Sequence, residues 1–397
     1  MISATQIVLS SGLDRRTLRA RAFRQNLVQV AIVAGALCLL LAVGYAIRAS
    51  LADRGIAFSF DYLAVSAGFE MSEGLTYQFS TPVGMVAFSS EMTNAQALVA
   101  GLFNTLKIAV VAIILATIIG IFLGIGRLST NWLIRQICFY FVEFVRNTPL
   151  LIQLTFWYVA VVLQFPPMAG ALHFLGGVIS QQGLWVPAIV ASQEATNTAV
   201  VICLSAVVLA FYGLTTANRH RRIVASALVI CLLATTFFLG FPFSIELPEV
   251  GRFRATGGIM LTPEFAAILI AISVNSSAYL GEVVRGAIEN LPKGQWEAAG
   301  SLGFSRSDTI RDIVLPQVFR VVLPSFGNQY IGLAKNTSLG IAIGFPDLFN
   351  VYGTVANQTG RSLEGVIIVM LVYLLLSLTI SAVVNVLNSR LKIPGAR

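Results

Sequence analysis

The chain has 397 residues, of which 56% are hydrophobic and only 11% are charged, and its mean hydropathy is +0.82. This composition excludes an ordinary soluble domain, which needs more charge to cover its surface, and predicts a polytopic membrane protein. Apolar runs of helix length make the predicted fold class all-α. The net charge of +8 lies in short segments between apolar runs, a placement that is typical of membrane orientation and argues against a nucleic-acid partner.

Familiar metal, nucleotide and catalytic motifs are missing from the sequence. The four cysteines lie in apolar runs and the two histidines have no partner at ligand spacing, which argues against a metal site. A P-loop needs a lysine directly after a glycine, and none of the four lysines follows one. We therefore expect no catalytic residue, no metal and no cofactor in this chain.

Eight apolar runs are long enough to cross a bilayer, which takes about 20 residues for the ~30 Å hydrocarbon core. We predict spans at 27–47, 98–126, 137–163, 199–216, 223–241, 263–284, 327–344 and 366–386. The first run exceeds the apolar region of an ordinary signal peptide, so we expect it to be a retained helix.

Basic residues predict the orientation of these spans, because lysine and arginine accumulate in cytoplasmic segments. The main basic clusters fall on one side of the eight-span topology: the tail 1–26, the loop with Arg127 and Arg135, the Arg219–Arg222 loop, the loop at 290–316 and the tail 389–397. Most loop acids fall on the other side. Both termini are therefore predicted to be cytoplasmic.

Two segments on the opposite side of the membrane are long. Residues 48–97 form a mixed polar and aromatic stretch, for which docking of an external partner is a hypothesis. Residues 164–198 are apolar enough to predict a short helix that lies at the membrane interface.

A polar stretch, EAAGSLGFSRSDTIRDIVLP at 297–316, interrupts the apolar sequence. Glu297, Ala298 and Ala299 favour a short helix, and Gly303 is a natural helix stop because glycine adopts the left-handed conformation without steric cost.

A second short helix is predicted to begin at Ser305, because Asp308 follows it at the spacing of a capping box. Ile313 belongs to its apolar face, and Leu315-Pro316 is expected to end it. Two short helices separated by a glycine are consistent with an amphipathic hairpin on the lipid surface or with a knob presented to a soluble partner.

The spacing of this stretch resembles the EAA loop of ABC importer permeases: Glu-Ala-Ala, three residues, glycine, nine residues, isoleucine, one residue, Leu-Pro. Three further stretches resemble the polar amino-acid subfamily in the same order, namely FVEFVRNTPLLIQLTFWYV at 141–159, SAYLGEVVRGAIENLPKGQWEAAGSLG at 277–303 and LAKNTSLGIAIGFPDL at 333–348. The chain departs from the family at Asn147, where the family has glycine, and at Asn336, where it has aspartate.

The resemblance implies an organisation around one permease domain. It covers 98–388, into which the helix pair 199–241 is inserted and from which the EAA loop at 290–316 projects. The tail 1–26, an extra helix at 27–47 and a periplasmic segment at 48–97 precede the domain, and the tail 389–397 follows it. This long form resembles the permeases of general L-amino acid importers of Gram-negative bacteria.

The resemblance also implies a fold, a place and partners. The fold is that of an ABC type I importer permease in the bacterial inner membrane. The implied partners are a cytoplasmic ATPase dimer that holds ATP and Mg²⁺, a second, homologous permease subunit, a periplasmic amino-acid-binding protein, the amino-acid substrate and membrane lipid. The residues implied to couple the loop to the ATPase are Glu297, Ala298, Ala299, Gly303, Ile313, Leu315 and Pro316.

Charged residues within spans need a reason, because an unpaired charge in a bilayer is costly. Glu143 and Arg146 lie at i, i+3 on one predicted helix and are expected to pair with each other, and Glu282 and Arg285 repeat this spacing. They either orient their helices near the inner interface or belong to the gate or coupling surface.

Neutral polar residues in the span 263–284 form a second group of candidates. Asn275, Ser276, Ser277 and Tyr279 could pack helices together, as small polar residues do in bilayers, or could line a pathway. Pro149 is expected to bend or interrupt its helix, which is common where the backbone lines a cavity.

The sequence is therefore interpreted as the permease subunit of an ABC importer for amino acids, and not as an enzyme. One alternative is an ABC permease for another small polar solute. Another is an ion-coupled secondary transporter, which would need acids in mid-membrane, whereas the acids here lie near span ends. A third, an intramembrane enzyme, would need a catalytic constellation that the sequence does not contain.

Overall fold

A computed structural model of the protein describes residues 27–39, 41–46, 49, 50, 53, 58–78, 84–191, 201, 202, 205, 206, 209, 210, 219–238, 243–252, 254–305 and 308–390. The tails at 1–26 and 391–397 and most of the predicted span 199–216 lie outside these residues. The chain divides into two compact units, Met1–Tyr62 and Leu63–Arg397. The first contains helix α1, Leu27–Ala46.

The second unit is built mainly from helices. In chain order they are α2 Asn94–Arg127, α3 Trp132–Asn147, α4 Leu150–Phe156, α5 Arg219–Phe238, α6 Pro263–Glu289, α7 Lys293–Ser301, α8 Leu315–Asn336, α9 Leu348–Thr359 and α10 Ser362–Arg390. A π-helix, Trp157–Val161, and a 3₁₀ turn, Val162–Gln164, extend α4. A second π-helix, Thr309–Val314, precedes α8, and a 3₁₀ helix, Thr337–Ile343, follows it.

Within the described residues, four helices are long and apolar enough to cross a membrane: Leu27–Ala46, Asn94–Arg127, Pro263–Glu289 and Ser362–Ser389. The run Thr309–Ile343 and helix Leu348–Thr359, which meet at 51°, make a fifth if they are counted as one span. The predicted span 137–163 is divided between α3 and α4. The count of eight spans therefore stays a prediction.

The region that follows α4 is a small sheet, so the interfacial helix expected at 164–198 is wrong. Its strands are β3 Leu172–Phe174, β4 Gly177–Ser180, β5 Gly183–Val186 and β10 Ile259–Leu261, paired antiparallel in the order β10-β5-β4-β3. Gly176 and Gly183 have φ values of +76° and +136°, which end any helix and allow the tight turns. Val178 and Trp185 are buried between the strands and the neighbouring loops.

Six further strands form three two-stranded ribbons: β1 Leu75–Gln78 with β2 Gly84–Ala87, β6 Ala188–Ala191 with β7 Phe243–Glu246, and β8 Glu249–Val250 with β9 Ala255–Thr256. The protein is mostly helical, as predicted, and these short strands lie between its helices. Helix α5 begins at Arg219, so residues 219–222, which were expected to form a loop, are its first turn.

Hydrogen bonds fasten the segment that precedes α2 to the helices. Thr93 and Gln96 form a capping box at the start of α2. The Asn104 side-chain amide donates to the carbonyl oxygens of Glu73, at 3.1 Å, and Pro346, at 2.9 Å. The Lys107 ammonium lies 3.2 Å from the Glu73 carboxylate. Burial raises the pKa of the Glu73 carboxyl, and the nearby ammonium opposes this shift.

Helices α2 and α6 pack with their backbones in close contact. Gly120 and Gly124 of α2 face Gly281 of α6, and a Cβ added to Gly124 would lie 2.6 Å from the Gly281 carbonyl oxygen. This spacing of small residues lets two membrane helices approach until their backbones touch. We call this contact the α2–α6 seam, and it fixes one face of α6.

Candidate functional site

A cavity of about 430 Å³ lies beside the other face of α6. Three parts of the chain form its wall: the junction of α3 and α4, the middle of α6 and the second half of α8. The lining residues are Arg146, Asn147, Thr148, Pro149, Leu150, Asn275, Ser276, Tyr279, Gln329, Gly332, Leu333 and Asn336. Among these twelve, arginine is the single charged residue and most of the others are polar and neutral.

The first wall is a break in the helical backbone. Helix α3 ends at Asn147 and α4 begins at Leu150, because Pro149 has no N–H for a helical hydrogen bond and restricts the residue before it. The buried side chain of Gln153 stabilises the break by donating to the carbonyl oxygens of Val145 and Thr148, each at 2.8 Å. Backbone oxygens that a continuous helix would have satisfied are thus bonded within the protein.

The second wall is formed by α6, whose polar residues lie on two different faces of the helix. Asn275, Ser276 and Tyr279 face the cavity. Ser277 is fully buried on the seam side, where its backbone oxygen approaches Gly120 and its hydroxyl donates to the Val274 carbonyl at 2.7 Å. Ser277 therefore serves helix packing, whereas Asn275, Ser276 and Tyr279 line a cavity, and their place in a substrate pathway stays a prediction.

Three side-chain amides in the wall are available to a ligand. Asn275 of α6 and Gln329 and Asn336 of α8 have no hydrogen-bond partner in the part of the chain that the structure describes. Asn275 lies about 18 Å along α6 from Pro263, at 1.5 Å per residue, and is therefore near the middle of the span. Neutral amides can both donate and accept, so they can meet either end of a small zwitterion.

Arg146 is positioned by an aromatic ring, and its expected pairing with Glu143 is wrong. Its guanidinium lies 5.6 Å from the centre of the Tyr279 ring, and the Tyr279 hydroxyl donates to the Arg146 carbonyl oxygen at 3.4 Å. Glu143 instead lies 3.5 Å from Arg127, on a different helix. The i, i+3 spacing was compatible with a pair, but a second cation from α2 reaches Glu143.

Glu143 and Glu282 lie outside the cavity wall, in a cluster of charges at its loop end. The expected pair of Glu282 and Arg285 is confirmed, with the Arg285 Nε 3.1 Å from each carboxylate oxygen. Arg127 also pairs with Glu282, and Arg285 pairs with Glu289, the last residue of α6. Five alternating charges thus join three helices beside the loop.

The first half of the polar loop folds as the sequence predicts. Helix α7 ends at Ser301, and Gly303 has a φ of +78°. The amides of Gly303 and Phe304 donate to the carbonyl oxygens of Gly300, at 3.0 Å, and Ala299, at 3.1 Å. These two bonds form a Schellman motif, which requires the left-handed residue and fixes the exit of the chain.

The structure separates the residues of this half loop by exposure. Glu297, Ala298 and Gly303 are exposed, whereas Ala299 is 1% exposed and packs within the chain. Ala299 is therefore not on the surface that a partner could approach, contrary to the expectation from the resemblance. Leu302 and Phe304 are exposed on either side of Gly303.

The second half of the loop is continuous with a long helix, so the expectation that Leu315-Pro316 ends a short helix is wrong. Ser305 caps its start, since its hydroxyl donates to the Asp308 carboxylate at 2.6 Å and accepts from the Asp308 amide. The π-helix that contains Ile313 then passes into α8. Proline is tolerated because Pro316 lies in the first turn of α8.

The loop is fastened to both walls of the cavity. It begins where α6 ends, and its last part, the π-helix Thr309–Val314, passes directly into α8. The Gln317 amide donates to the Ile313 carbonyl at 3.0 Å and to the Gln295 side chain of α7 at 3.4 Å. The Tyr330 hydroxyl lies 2.7 Å from the Thr117 hydroxyl, which joins α8 to α2. A displacement of the loop therefore acts on α6 and α8 together.

Comparison with known proteins agrees with this architecture. The sequence profile of a family described as "Binding-protein-dependent transport system inner membrane component" matches residues 116–393. The chain belongs to this family.

Curated relatives match this permease along most of its length. It is 39% identical to the general L-amino acid transport system permease protein AapQ of Rhizobium johnstonii, with 86% of each chain covered. It is 35% identical to the putative amino-acid ABC transporter permease protein YhdX of Escherichia coli, over 87% of this chain and 88% of the relative. A solved amino acid ABC transporter with histidines matches 75% of this chain and 94% of its own, at 22% identity and a TM-score of 0.46.

Family membership confirms the resemblance to ABC importer permeases and the type I permease fold. It also makes the permease a transporter subunit of the inner membrane and not an enzyme in its own right. Sequence reasoning missed Gln153 and Gln329, and it did not find that Arg127 pairs with Glu143. Gln153 carried a usable signal, because a lone amide four residues after a proline within an apolar run needs a bonding partner.

Proposed function

We propose that this permease is the membrane subunit of an ATP-driven importer that translocates amino acids across the bacterial inner membrane. Its substrates are a broad range of L-amino acids. The relatives named for amino-acid transport support this substrate class. The cavity supports it independently, because it combines one cation with neutral amides in the middle of the spans.

The chemistry of the cavity wall carries the substrate assignment. The Arg146 guanidinium is suited to a carboxylate, with which it can form two parallel hydrogen bonds. The amide oxygens of Asn275 and Asn336 are suited to an ammonium group. Acids are absent from the twelve lining residues, so no side chain competes with the substrate carboxylate. Contacts limited to the groups that all amino acids share would permit a broad range of side chains.

Coupling to ATP follows from the loop that joins the two walls. We place the contact with an ATPase dimer at the exposed loop residues Glu297, Ala298, Leu302 and Phe304, with Gly303 setting the angle between the two halves. ATP and Mg²⁺ are held by that partner. Closure of the ATPase dimer would displace the loop, and with it α6 and α8. Ile313, Leu315 and Pro316 would take part in coupling because they lie where the loop passes into α8.

The orientation and the remaining partners are part of the same proposal. Both termini and the EAA loop are cytoplasmic, as the basic residues predict, and the sheet β10-β5-β4-β3 is then periplasmic. A substrate-loaded binding protein docks on the periplasmic side. A second, homologous permease subunit completes the membrane assembly as a heteromer.

Reconstitution tests the function. The permease is co-purified with its ATPase and homologous permease and placed in proteoliposomes with the binding protein outside and ATP inside. We expect uptake of radiolabelled neutral, acidic and basic L-amino acids that competes mutually and requires ATP. Uptake of a different polar solute alone would favour the alternative ABC substrate class, and uptake by the permease without any ATPase would favour an ion-coupled transporter.

Gly303→Pro tests the loop. Proline fixes φ near −65°, opposite in sign to the native +78°, so the two halves of the loop cannot keep their angle. We expect ATP-driven uptake to fall at least about tenfold while membrane insertion stays normal. Gly294→Pro is the matched control, because it lies in the first turn of α7, where proline is tolerated. Equal uptake by the two variants would remove Gly303 from the coupling mechanism.

A further inference from the structure

Arg127 lies buried where three helices meet, at the loop end of the α2–α6 seam. Its side chain is 9% exposed. One terminal nitrogen lies 3.5 Å from the Glu143 carboxylate of α3, the other donates to the Glu282 carboxylate of α6, and the guanidinium lies 5.1 Å from the Phe139 ring centre. A single side chain therefore bridges carboxylates on two other helices.

On one side this bridge leads to the EAA loop. Glu282 binds Arg285 as well as Arg127, and Arg285 binds Glu289. Glu289 is the last residue of α6, and α7 begins at Lys293. A continuous series of ion pairs therefore connects Glu289, at the start of the loop, to Arg127.

On the other side the bridge leads to the cavity wall. The backbone oxygen of Glu143 accepts a hydrogen bond from the Asn147 amide at 2.7 Å. Arg146 and Asn147, one turn after Glu143, both line the cavity. The position of α3 therefore sets the position of Arg146, the one charged residue among the twelve that line the cavity.

Apart from Arg127, α3 contacts α6 where Arg146 meets Tyr279 in the cavity wall and where apolar side chains pack between the two helices. Val142 and Val145 form a small apolar cluster with Ala278 of α6. Helices α2 and α6, in contrast, touch backbone to backbone through Gly124 and Gly281. Apolar side chains can slide past one another, whereas a guanidinium that bridges two carboxylates fixes both direction and distance.

We propose that Arg127 is a positioning residue that makes α3 move with α6 when the EAA loop is displaced, so that the loop movement reaches Arg146 and Asn147 in the cavity wall. The proposal rests on the proposed transport function for its consequence and on the Arg127 contacts for its mechanism. Arginine is required because the compact ammonium of lysine cannot reach two carboxylates with separate nitrogens.

The first test compares Arg127→Gln with Arg135→Gln in the reconstituted complex. Arg135 is exposed in the first turn of α3, and among the described residues its side chain donates to the Ser129 carbonyl oxygen alone, at 3.2 Å, so it controls for lost positive charge. We expect Arg127→Gln to lower the number of substrate molecules moved per ATP hydrolysed by about tenfold or more, while ATP hydrolysis continues. Arg135→Gln should keep the wild-type ratio.

Two further variants separate positioning from stability. Glu143→Gln removes half of the bridge at a position that is 39% exposed and should lower the same ratio without preventing assembly. The double variant Arg127→Gln, Glu143→Gln should be no worse than Arg127→Gln alone, because both changes break one connection. Arg127→Lys should restore assembly but recover the ratio only in part.

A distance measurement keeps the test independent of transport. Spin labels at Leu133 of α3 and Lys293 of α7, in a chain without other cysteines, report whether the two elements move as one body. With ATP bound we expect one narrow distance in the wild type and a broad distribution in Arg127→Gln. Absence of amino-acid uptake in the wild type would contradict the proposed function without changing this distance result.

Three results would overturn the positioning role. They are a wild-type transport ratio in Glu143→Gln, additive losses in the double variant, and equally narrow distances with and without Arg127. If Arg127→Gln fails to assemble, Glu143→Gln carries both the ratio and the distance measurement, and the proposal stands or falls on that variant.

Discussion

The two faces of α6 use small and polar residues for opposite purposes. On the seam face, Gly281 and Ser277 let the backbone of α2 approach within contact distance. On the cavity face, Asn275 and Ser276 leave a space of about 430 Å³ beside them. One helix therefore divides the permease into a part that is packed too closely to change and a part that has room for a ligand.

The role of a polar residue in a membrane helix therefore depends on which face of the helix it occupies. Ser276 and Ser277 are neighbours in sequence, yet one lines the cavity and the other is buried against α2. A rotation of about 100° per residue around the helix axis separates their environments.

Gly124→Ala should have the largest effect. The added Cβ would lie 2.6 Å from the Gly281 carbonyl oxygen and 2.7 Å from the Val284 Cβ, so the two backbones must separate. Overpacking of this kind costs about 1–3 kcal/mol or more, and here it also opens the seam along its length. We expect loss of monodisperse protein in detergent size-exclusion chromatography and a lowered unfolding temperature.

Gly286→Ala is the control for this change. Gly286 lies on the same helix pair, in α6, and no atom is within 4 Å of an added Cβ. Alanine there should be neutral or slightly stabilising, because it is the better helix former. Equal unfolding temperatures for the two variants would show that the seam tolerates separation.

Asn275→Leu should spare the fold and reduce transport. It removes one free amide from the cavity wall while keeping the same branched arrangement of side-chain heavy atoms, and that amide bonds to nothing else in the described structure. We expect uptake to fall about tenfold, with a raised KM, and the unfolding temperature to stay within a few degrees of the wild type. Proteoliposome uptake and thermal unfolding measure the two effects.

Ser277→Ala, two positions away on the seam face, is the comparison variant. Among the described residues its hydroxyl bonds to the Val274 carbonyl of its own helix alone, so its loss should leave uptake near the wild-type rate. If Ser277→Ala impaired uptake as much as Asn275→Leu, the assignment of the two faces would be incorrect.

The sequence predicted the features that depend on local chemistry. Gly303 was identified as a stop because only a left-handed residue completes a Schellman end, and the same local logic found the Ser305–Asp308 cap. Asn275 and Tyr279 were singled out because polar groups in a span need a reason, and both lie in the cavity wall.

Features that depend on distant partners were not predictable in the same way. Glu143 could pair within its own helix, and nothing local revealed that Arg127, 16 residues away, would reach it. The apolar stretch at 164–198 has the composition of an interfacial helix, but its strand β5 pairs with β10, Ile259–Leu261, which is about 75 residues further along the chain. Strand pairing across such a separation leaves no periodic signal in either segment.

Gln153→Met tests the junction between α3 and α4, with the smallest expected effect of the three. Both bonds from the Gln153 amide, to Val145 and Thr148 at 2.8 Å, are lost, while methionine keeps nearly the same shape. The Val145 carbonyl oxygen keeps the Thr148 N–H at 3.4 Å, whereas the half-buried Thr148 carbonyl oxygen loses its side-chain partner. An unpaired buried carbonyl costs about 1–3 kcal/mol, part of which the broken backbone can relieve by bending. We expect a lowered unfolding temperature and a loss of uptake of a few fold, because Arg146 and Asn147 lose their fixed position.

Gln164→Met provides the matched change in the same helical segment. Gln164 is exposed, and its amide donates only to the Val159 carbonyl, at 3.1 Å. If the Gln153 amide stabilises the break at Pro149, Gln153→Met should lower uptake more than Gln164→Met does. A Gln153→Met permease with the uptake rate of Gln164→Met would mean that packing around Pro149 alone holds the cavity wall in place.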